Sequence, residues 1–202
     1  MKITASEVNK LRQQTGAGMM DCKKALEEAQ GDFEAAVDIL RLKVQNVAAK
    51  RGDREASEGL AIAKTTDNGK KAVAIILNCE TDFVANNAAF GEVANNILTV
   101  AINESPASLD ELKSKTFPGS ELSIADKLTE EIGKIGEKIE LSYYETVEGE
   151  SVVAYNHPGN NLASIVSFNK PAGEDITRDV AMQVAAMAPV AVNEDSIPAE
   201  VI

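Results

Sequence analysis

Apolar residues recur at helix spacing in three short runs over the first 46 residues. Thr4 and Glu7 precede the first run, and a hydroxyl and a carboxylate at this spacing can each satisfy a free amide at a helix start. Glycines separate the runs at 16–18 and at 31, where a tight turn between helices needs backbone freedom. The pattern predicts a compact N-terminal domain of three helices over residues 1–46. The apolar positions of the three runs are Val8 and Leu11; Cys22, Ala25, Leu26 and Ala29; and Phe33, Ala36, Val37 and Leu40.

The pattern changes after residue 46. Residues 47–57 lose the apolar period and gain charge, which predicts the tail of the third helix and then a solvated linker that includes Arg51 and Arg54. From Glu58 onward alternate residues are apolar, as in strands. An Asp-Asn-Gly turn at 67–69 predicts a hairpin, and we expect its second strand, over 72–77, to be buried on both faces. Helical patterns follow at 90–101, after residue 108 and at 124–132, where Gly133 is expected to end the last helix.

The same order of elements begins again near residue 138. Strand patterns occur at 139–144, 152–155 and 162–166, and an amphipathic helix follows. A hairpin followed by a helix, twice over, indicates an internal duplication. The sequence therefore predicts an α+β fold, with a core N-terminal half over 58–137 and a core C-terminal half over 138–202. The apolar side of the last helix is expected to contain Ile176, Val180, Val184 and Met187.

Composition and charge narrow the classes of function. The chain carries 32 acidic and 20 basic side chains and a formal net charge of −12, which disfavours nucleic acid as a partner because phosphate binding needs surplus Lys and Arg. Cys22 and Cys79 fit neither a disulfide framework nor a zinc site, and Cys79 is expected to be a buried strand thiol. The chain contains no apolar run of about 18 residues and no apolar signal core, so we expect a cytoplasmic protein without membrane contact.

Sequence motifs for covalent chemistry are absent. The chain has no nucleophile elbow, no phosphate loop and no dinucleotide-binding fingerprint. His157, the only histidine, precedes Pro158 and Gly159, which favours a turn residue over a catalytic base. We therefore expect no catalytic residue, no metal ion and no cofactor, and an enzyme is the least favoured class.

Two segments invite a functional interpretation. Thr81, Asp82, Phe83 and Val84 follow the buried strand directly. In one interpretation Thr81 or Asp82 caps a helix and Phe83 packs into the core; in the other, the carboxylate and the ring are presented together to a partner. The second segment contains Met19 and Met20 at a helix start. Two adjacent methionines cannot both face one core, so at least one is expected on the surface, where methionine suits adaptable binding.

These segments also carry a family resemblance. Residues 11–32 (LRQQTGAGMMDCKKALEEAQGD) and 78–90 (NCETDFVANNAAF) resemble the signatures of the bacterial elongation factor Ts family, and the order of elements is similar along the whole chain. The resemblance implies a guanine-nucleotide exchange factor whose partner is GDP-bound elongation factor Tu. It further implies an N-terminal domain of the ubiquitin-associated type and a core of two related α+β halves.

The resemblance also implies roles for individual residues. The segment Thr81–Val84 corresponds to the exchange wedge, in which Phe83 pushes between partner side chains and Asp82 helps to disturb the magnesium site. Ile135 and Gly136 match a contact near the partner's phosphate loop, and His157 matches a polar turn used in a core contact. The residues that match the N-terminal contact with a partner helix are Arg12, Met19, Met20 and Lys23.

Two departures from the family pattern stand out. Asn86 occupies a position where family members often have Lys, which weakens a charge contact but leaves the wedge unchanged. Longer members continue beyond Ile202, so this chain is either a naturally short form, which in this family tends to work as a homodimer, or a truncated one. The alternative function is a ubiquitin-associated-like adaptor, or another protein-interaction module, without exchange activity. An adaptor would not need Asp82 and Phe83 exposed together.

Overall fold

The computed structural model of the protein describes residues 3–66 and 68–201. Asp67 of the predicted hairpin turn and the terminal Ile202 lie outside the described residues. The described elements form an α+β fold, with three helices first and then antiparallel sheets packed with helices. This confirms the predicted fold class.

The three N-terminal helices are α1 (Ala5–Thr15), α2 (Met19–Glu28) and α3 (Phe33–Arg51). At the start of α1 the Thr4 hydroxyl accepts from the Glu7 N–H at 3.3 Å, and the Glu7 carboxylate accepts from the Thr4 N–H at 2.8 Å, which confirms the predicted cap. The helices enclose a small core of their own, whose buried members are Val8, Leu11, Cys22, Ala25, Leu26, Ala36 and Leu40.

Helix α3 extends from this small core to the main one. It runs for 19 residues to Arg51, so the first part of the segment 47–57 is helical. Val47 and Ala48, near its end, pack against the main core. One turn earlier, the Val44 side chain lies against Gly133 so closely that a Cβ atom there would collide with it. The N-terminal domain is therefore packed onto the core through α3.

The first sheet contains β1 (Glu58–Thr65), β2 (Lys71–Cys79) and β3 (Ile139–Glu148), all antiparallel, in the order β1-β2-β3. The last paired residues of β2 and β3 are Cys79 and Ile139. A strand that the sequence pattern assigns to the second half of the core is thus hydrogen-bonded to the first half. One side of β2 is buried, whereas Ala74 and Ile76 on the other side are only half-buried, so the prediction of burial on both faces is wrong.

Helices cover the buried side of this sheet. They are α4 (Asp82–Ala85), α5 (Ala88–Glu104), α6 (Leu109–Ser114) and α7 (Ile124–Ile135). Helix α7 ends at Gly136, not at Gly133 as predicted. Gly136 has the left-handed conformation (φ +81°) that terminates a helix without strain, and its N–H donates to the Ile132 carbonyl at 2.8 Å. Gly133 lies inside the helix, where it makes room for Val44.

The second sheet pairs β4 (Ser151–Asn156) with β5 (Ala163–Phe168), and α8 (Glu174–Met187) packs on it. The packed face of α8 contains Thr177 and Ala181, and the buried Ser164 hydroxyl donates to the Ala181 carbonyl at 2.8 Å. The predicted helix is present, but of its four predicted apolar residues Val180 and Val184 are only half-buried, and Ile176 and Met187 are 62% and 73% exposed. Small side chains let the helix lie close to the sheet, and this contact decides which face is buried.

Candidate functional site

The segment after β2 forms a single helical turn that points two side chains outward. Within α4, the Ala85 N–H donates to the Thr81 carbonyl at 3.2 Å and the Asn86 N–H donates to the Asp82 carbonyl at 2.9 Å. The Asn86 side-chain amide donates to the same Asp82 carbonyl at 2.9 Å. Asn86 therefore closes the turn with both its backbone and its side-chain amide.

Phe83 lies on the surface, with 85% of the residue's accessible area exposed. Asp82 beside it is exposed as well, whereas Val84 and Ala85 pack against the main core. The interpretation in which Phe83 packs into the core is therefore wrong. An aromatic ring left in water gives up the stabilisation of burial, so that stabilisation is still available to a partner surface.

Thr81 connects α4 to the turn that follows α7. Its N–H donates to Glu137 Oε2 at 3.1 Å and its hydroxyl donates to Glu137 Oε1 at 2.8 Å. Thr81 occupies the N-cap position of α4, but its hydroxyl makes no capping bond. Because Glu137 follows Gly136 directly, these bonds bring the exposed Ile135 and the half-buried Gly136 next to the start of α4.

Glu80 connects the same region to α3 and to β3. Its side chain is only 13% exposed and accepts from the Lys138 N–H at 2.6 Å. The guanidinium of Arg51 donates to both of its oxygens at 3.1 and 3.0 Å, and that of Arg54 donates at 3.2 Å. The pKa of Glu80 is held below its ordinary value, and the Lys138 N–H is the largest cause. Desolvation, the next largest, opposes the lowering, whereas Arg54 and Arg51 add to it. The two arginines are thus ion-paired, and the prediction that they are simply solvated is wrong.

Cys79 supports Thr81 from inside the core. Its thiol is buried, as predicted, and donates to the Thr81 carbonyl at 3.2 Å. Burial raises the pKa of Cys79 to about 11, and the nearby Glu137 carboxylate adds to the rise. The thiol is therefore protonated at neutral pH and acts as a hydrogen-bond donor, not as a nucleophile.

The N-terminal candidates lie on the surface of the helical domain. Met19 is 50% exposed and Met20 is 61% exposed, and Arg12 and Lys23 are exposed too. In the turn before α2, Gly16 lies against the side chain of Lys134 on α7. This contact brings the turn that precedes the methionines to the end of α7 that carries Ile135 and Gly136.

His157 lies in another part of the molecule, in the turn between β4 and β5. Its Nδ1 is 3.0 Å from the Tyr155 hydroxyl, and its backbone N–H donates to the Leu162 carbonyl at 2.9 Å. The Asn160 carbonyl in the same turn accepts from the Ala61 N–H of β1 at 2.7 Å. The contacts of this turn therefore run to β1, and they do not join His157 to α4.

Over residues 3–66 and 68–201, no group of three or more His, Cys, Asp and Glu side chains could hold a metal ion. In the same part of the chain, no helix has the length and apolar character needed to cross a bilayer.

Sequence reasoning missed the residues that hold the site together, namely Glu80, Glu137, Arg51 and Arg54. The one available signal was position, since Glu80 directly precedes Thr81 and Glu137 directly follows Gly136. The hydrogen-bond partners of these carboxylates depend on how β2 pairs with β3, and those two strands are far apart in sequence.

The chain thus has an α+β fold that exposes an acid–aromatic pair on a turn held by hydrogen bonds. Comparison with known proteins gives the family. The family model described as "Elongation factor TS" matches residues 80–202. The chain is 52% identical over 198 residues to Elongation factor Ts of Christiangramia forsetii, covering 97% of this chain and 71% of that protein. It is 47% identical over 205 residues to Elongation factor Ts of Amoebophilus asiaticus, covering 100% and 73%.

A third relative, Elongation factor Ts of Porphyromonas gingivalis, is 48% identical over 202 residues, with coverage of 100% of this chain and 73% of that protein. The chain therefore belongs to the elongation factor Ts family. That membership makes it a factor of protein biosynthesis in the nucleotide-exchange class, with elongation factor Tu as the partner that the family implies.

Proposed function

We propose that this protein binds GDP-bound elongation factor Tu and speeds GDP release by inserting Phe83 and Asp82 beside the nucleotide site. The observation that carries the proposal is the exposure of Phe83, 85% of whose accessible area is free on a turn anchored by Val84. A ring held in this way can enter a gap between partner side chains without first leaving its own core.

Asp82 supplies the electrostatic part of the proposed mechanism. Mg²⁺ beside a bound nucleotide is a large local charge that holds the phosphates. A carboxylate brought next to it competes for its water and ligand network, which lowers the affinity for GDP. Asp82 is exposed directly beside Phe83, so the two side chains would reach the nucleotide site together.

The other candidate residues have supporting roles in this proposal. Ile135 and Gly136 would contact the partner near its phosphate loop, and the contact of Thr81 with Glu137 places them next to α4. The exposed N-terminal residues would bind a partner helix through methionine contacts and two positive charges. These residues are Arg12, Met19, Met20 and Lys23. His157 would make a separate contact from the β4–β5 turn.

The test is the rate at which purified elongation factor Tu releases fluorescent GDP into excess unlabelled GDP, in the presence of magnesium. We expect the rate to rise with the concentration of this protein and to reach a plateau. A separate binding measurement on the same two proteins distinguishes the alternative. Binding without any acceleration of GDP release would refute the exchange function and favour the adaptor.

A further inference from the structure

The strands β2 and β3 part just beyond their last paired residues, Cys79 and Ile139. In a continued antiparallel ladder, residue 80 would lie opposite 138 and residue 81 opposite 137. The structure has side-chain bonds at these positions: the Glu80 carboxylate accepts from the Lys138 N–H, and the Glu137 carboxylate accepts from the Thr81 N–H. Two carboxylates therefore tie the separating chains together, each reaching across to the other chain.

These reciprocal bonds fix two neighbouring segments, the proposed wedge Thr81–Val84 and the turn that contains Ile135 and Gly136. The two bonds from Thr81 to Glu137 hold the residue that precedes Asp82, and Glu137 itself follows Gly136. An N-cap threonine ordinarily uses its hydroxyl to cap its own helix, but here the hydroxyl is committed to Glu137. The short helix α4 is thus oriented by the turn after α7, more than fifty residues away in sequence.

We propose, resting on the exchange function above, that Glu137 and Thr81 are positioning residues that hold the wedge and the Ile135–Gly136 turn as one rigid unit. When a ring is inserted into a partner, the partner's side chains exert a force on the turn that carries the ring. If α4 could yield, the carboxylate and the ring would miss the nucleotide site even though the partner was still bound. Displacements of about 1 Å from the productive geometry are enough to lose about a hundredfold in rate at a reacting site.

Thr81→Val and Glu137→Gln test the proposal. Valine keeps the shape of Thr81 and removes the hydroxyl, and glutamine keeps the shape of Glu137 but loses the charge and one acceptor. We expect either change to lower the plateau rate of GDP release by about tenfold and to shift the half-saturating concentration by no more than about twofold. Thr81→Ser, which keeps the hydroxyl, should restore the plateau.

Ser108→Ala is the matched control. The Ser108 hydroxyl accepts from the Glu111 N–H at 3.1 Å and caps α6, so its loss weakens the fold by one hydrogen bond outside the wedge. Its plateau should equal that of the unmodified protein. Amide hydrogen exchange over residues 82–86 gives a second measurement, since Thr81→Val should accelerate exchange there and Ser108→Ala should not.

The outcomes separate the two proposals. If the unmodified protein does not accelerate GDP release, the exchange function fails and the positioning role fails with it. If Phe83→Ala abolishes the acceleration while Thr81→Val and Glu137→Gln keep the full plateau, the positioning role alone is overturned. It is also overturned if the two variants raise only the half-saturating concentration, if Ser108→Ala lowers the plateau equally, or if amide exchange over 82–86 stays unchanged.

Discussion

Replacing Phe83 by alanine separates a partner-binding ring from a structural one. Replacing a buried phenylalanine by alanine would lower the free energy of unfolding by about 3–5 kcal/mol. Because Phe83 is 85% exposed, we expect the free energy of unfolding to fall by no more than about 0.5 kcal/mol. Thermal unfolding of the isolated protein measures this directly.

The effect on exchange should be much larger. Full burial of a phenylalanine side chain contributes about 2–3 kcal/mol, and most of that is still available to a partner since the ring is free. If it is gained while GDP is being displaced, its loss slows the maximal release rate by about 30- to 160-fold, at about 1.36 kcal/mol per tenfold. The assay is a titration of the GDP release rate against the concentration of the variant.

A matched control is Ile176→Ala, which removes another exposed apolar side chain, 62% exposed, on α8 outside the proposed site. It should change neither the melting temperature nor the plateau. The reasoning is refuted if Phe83→Ala lowers the free energy of unfolding by several kcal/mol while the GDP release rate per folded molecule stays normal. It is also refuted if Phe83→Ala and Ile176→Ala slow GDP release equally.

Three further predictions concern charge and docking. Asp82→Asn should slow GDP release in magnesium but have little effect in excess EDTA; an equal loss in both would contradict a role at the metal site. Met19→Ala combined with Met20→Ala should raise the half-saturating concentration, by about 1–3 kcal/mol in binding if either is a hot spot, and leave the plateau nearly unchanged. A lowered plateau would show that these residues act in the exchange step itself. The lowered pKa of Glu80 gives stability that is complete above the ordinary glutamate pKa of about 4.3 and is lost as the pH falls through the folded-state value. We therefore expect the melting temperature of Glu80→Gln to lie below that of the unmodified protein at pH 7, and the gap between the two temperatures to shrink below about pH 4. A gap that stays constant with pH would contradict this.

Local patterns in the sequence predicted most of the elements. The capping pair Thr4 and Glu7, the buried face of α5 and the exposed methionines all depend on residues within a few positions of one another. Helix ends and helix faces were harder. Gly133 looks like a helix terminator until Val44, 89 residues earlier, is seen to fill the space that its missing side chain leaves.

The candidate site was predictable only in part, for a related reason. Asp82 and Phe83 are adjacent in sequence, so their joint presentation could be proposed as one of two interpretations. The sequence alone could not show that they are exposed, because exposure depends on which neighbouring side chain packs into the core. In the structure that side chain is Val84. The bonds from Glu80 and Glu137 arise where β2 and β3 separate, and no local pattern indicates that the two strands are neighbours.

The position of the N-terminal helices bears on how the site reaches its partner. A flexible linker over 47–57 would let the helical domain act only by raising the local concentration of the core. In the structure α3 is helical to Arg51, contacts Gly133 through Val44 and ends in ion pairs with Glu80. The domain that carries the methionines is thus packed against the residue that precedes Thr81. In the proposed complex, a partner helix bound to that domain would therefore fix the direction from which α4 approaches, as well as the frequency with which it does so.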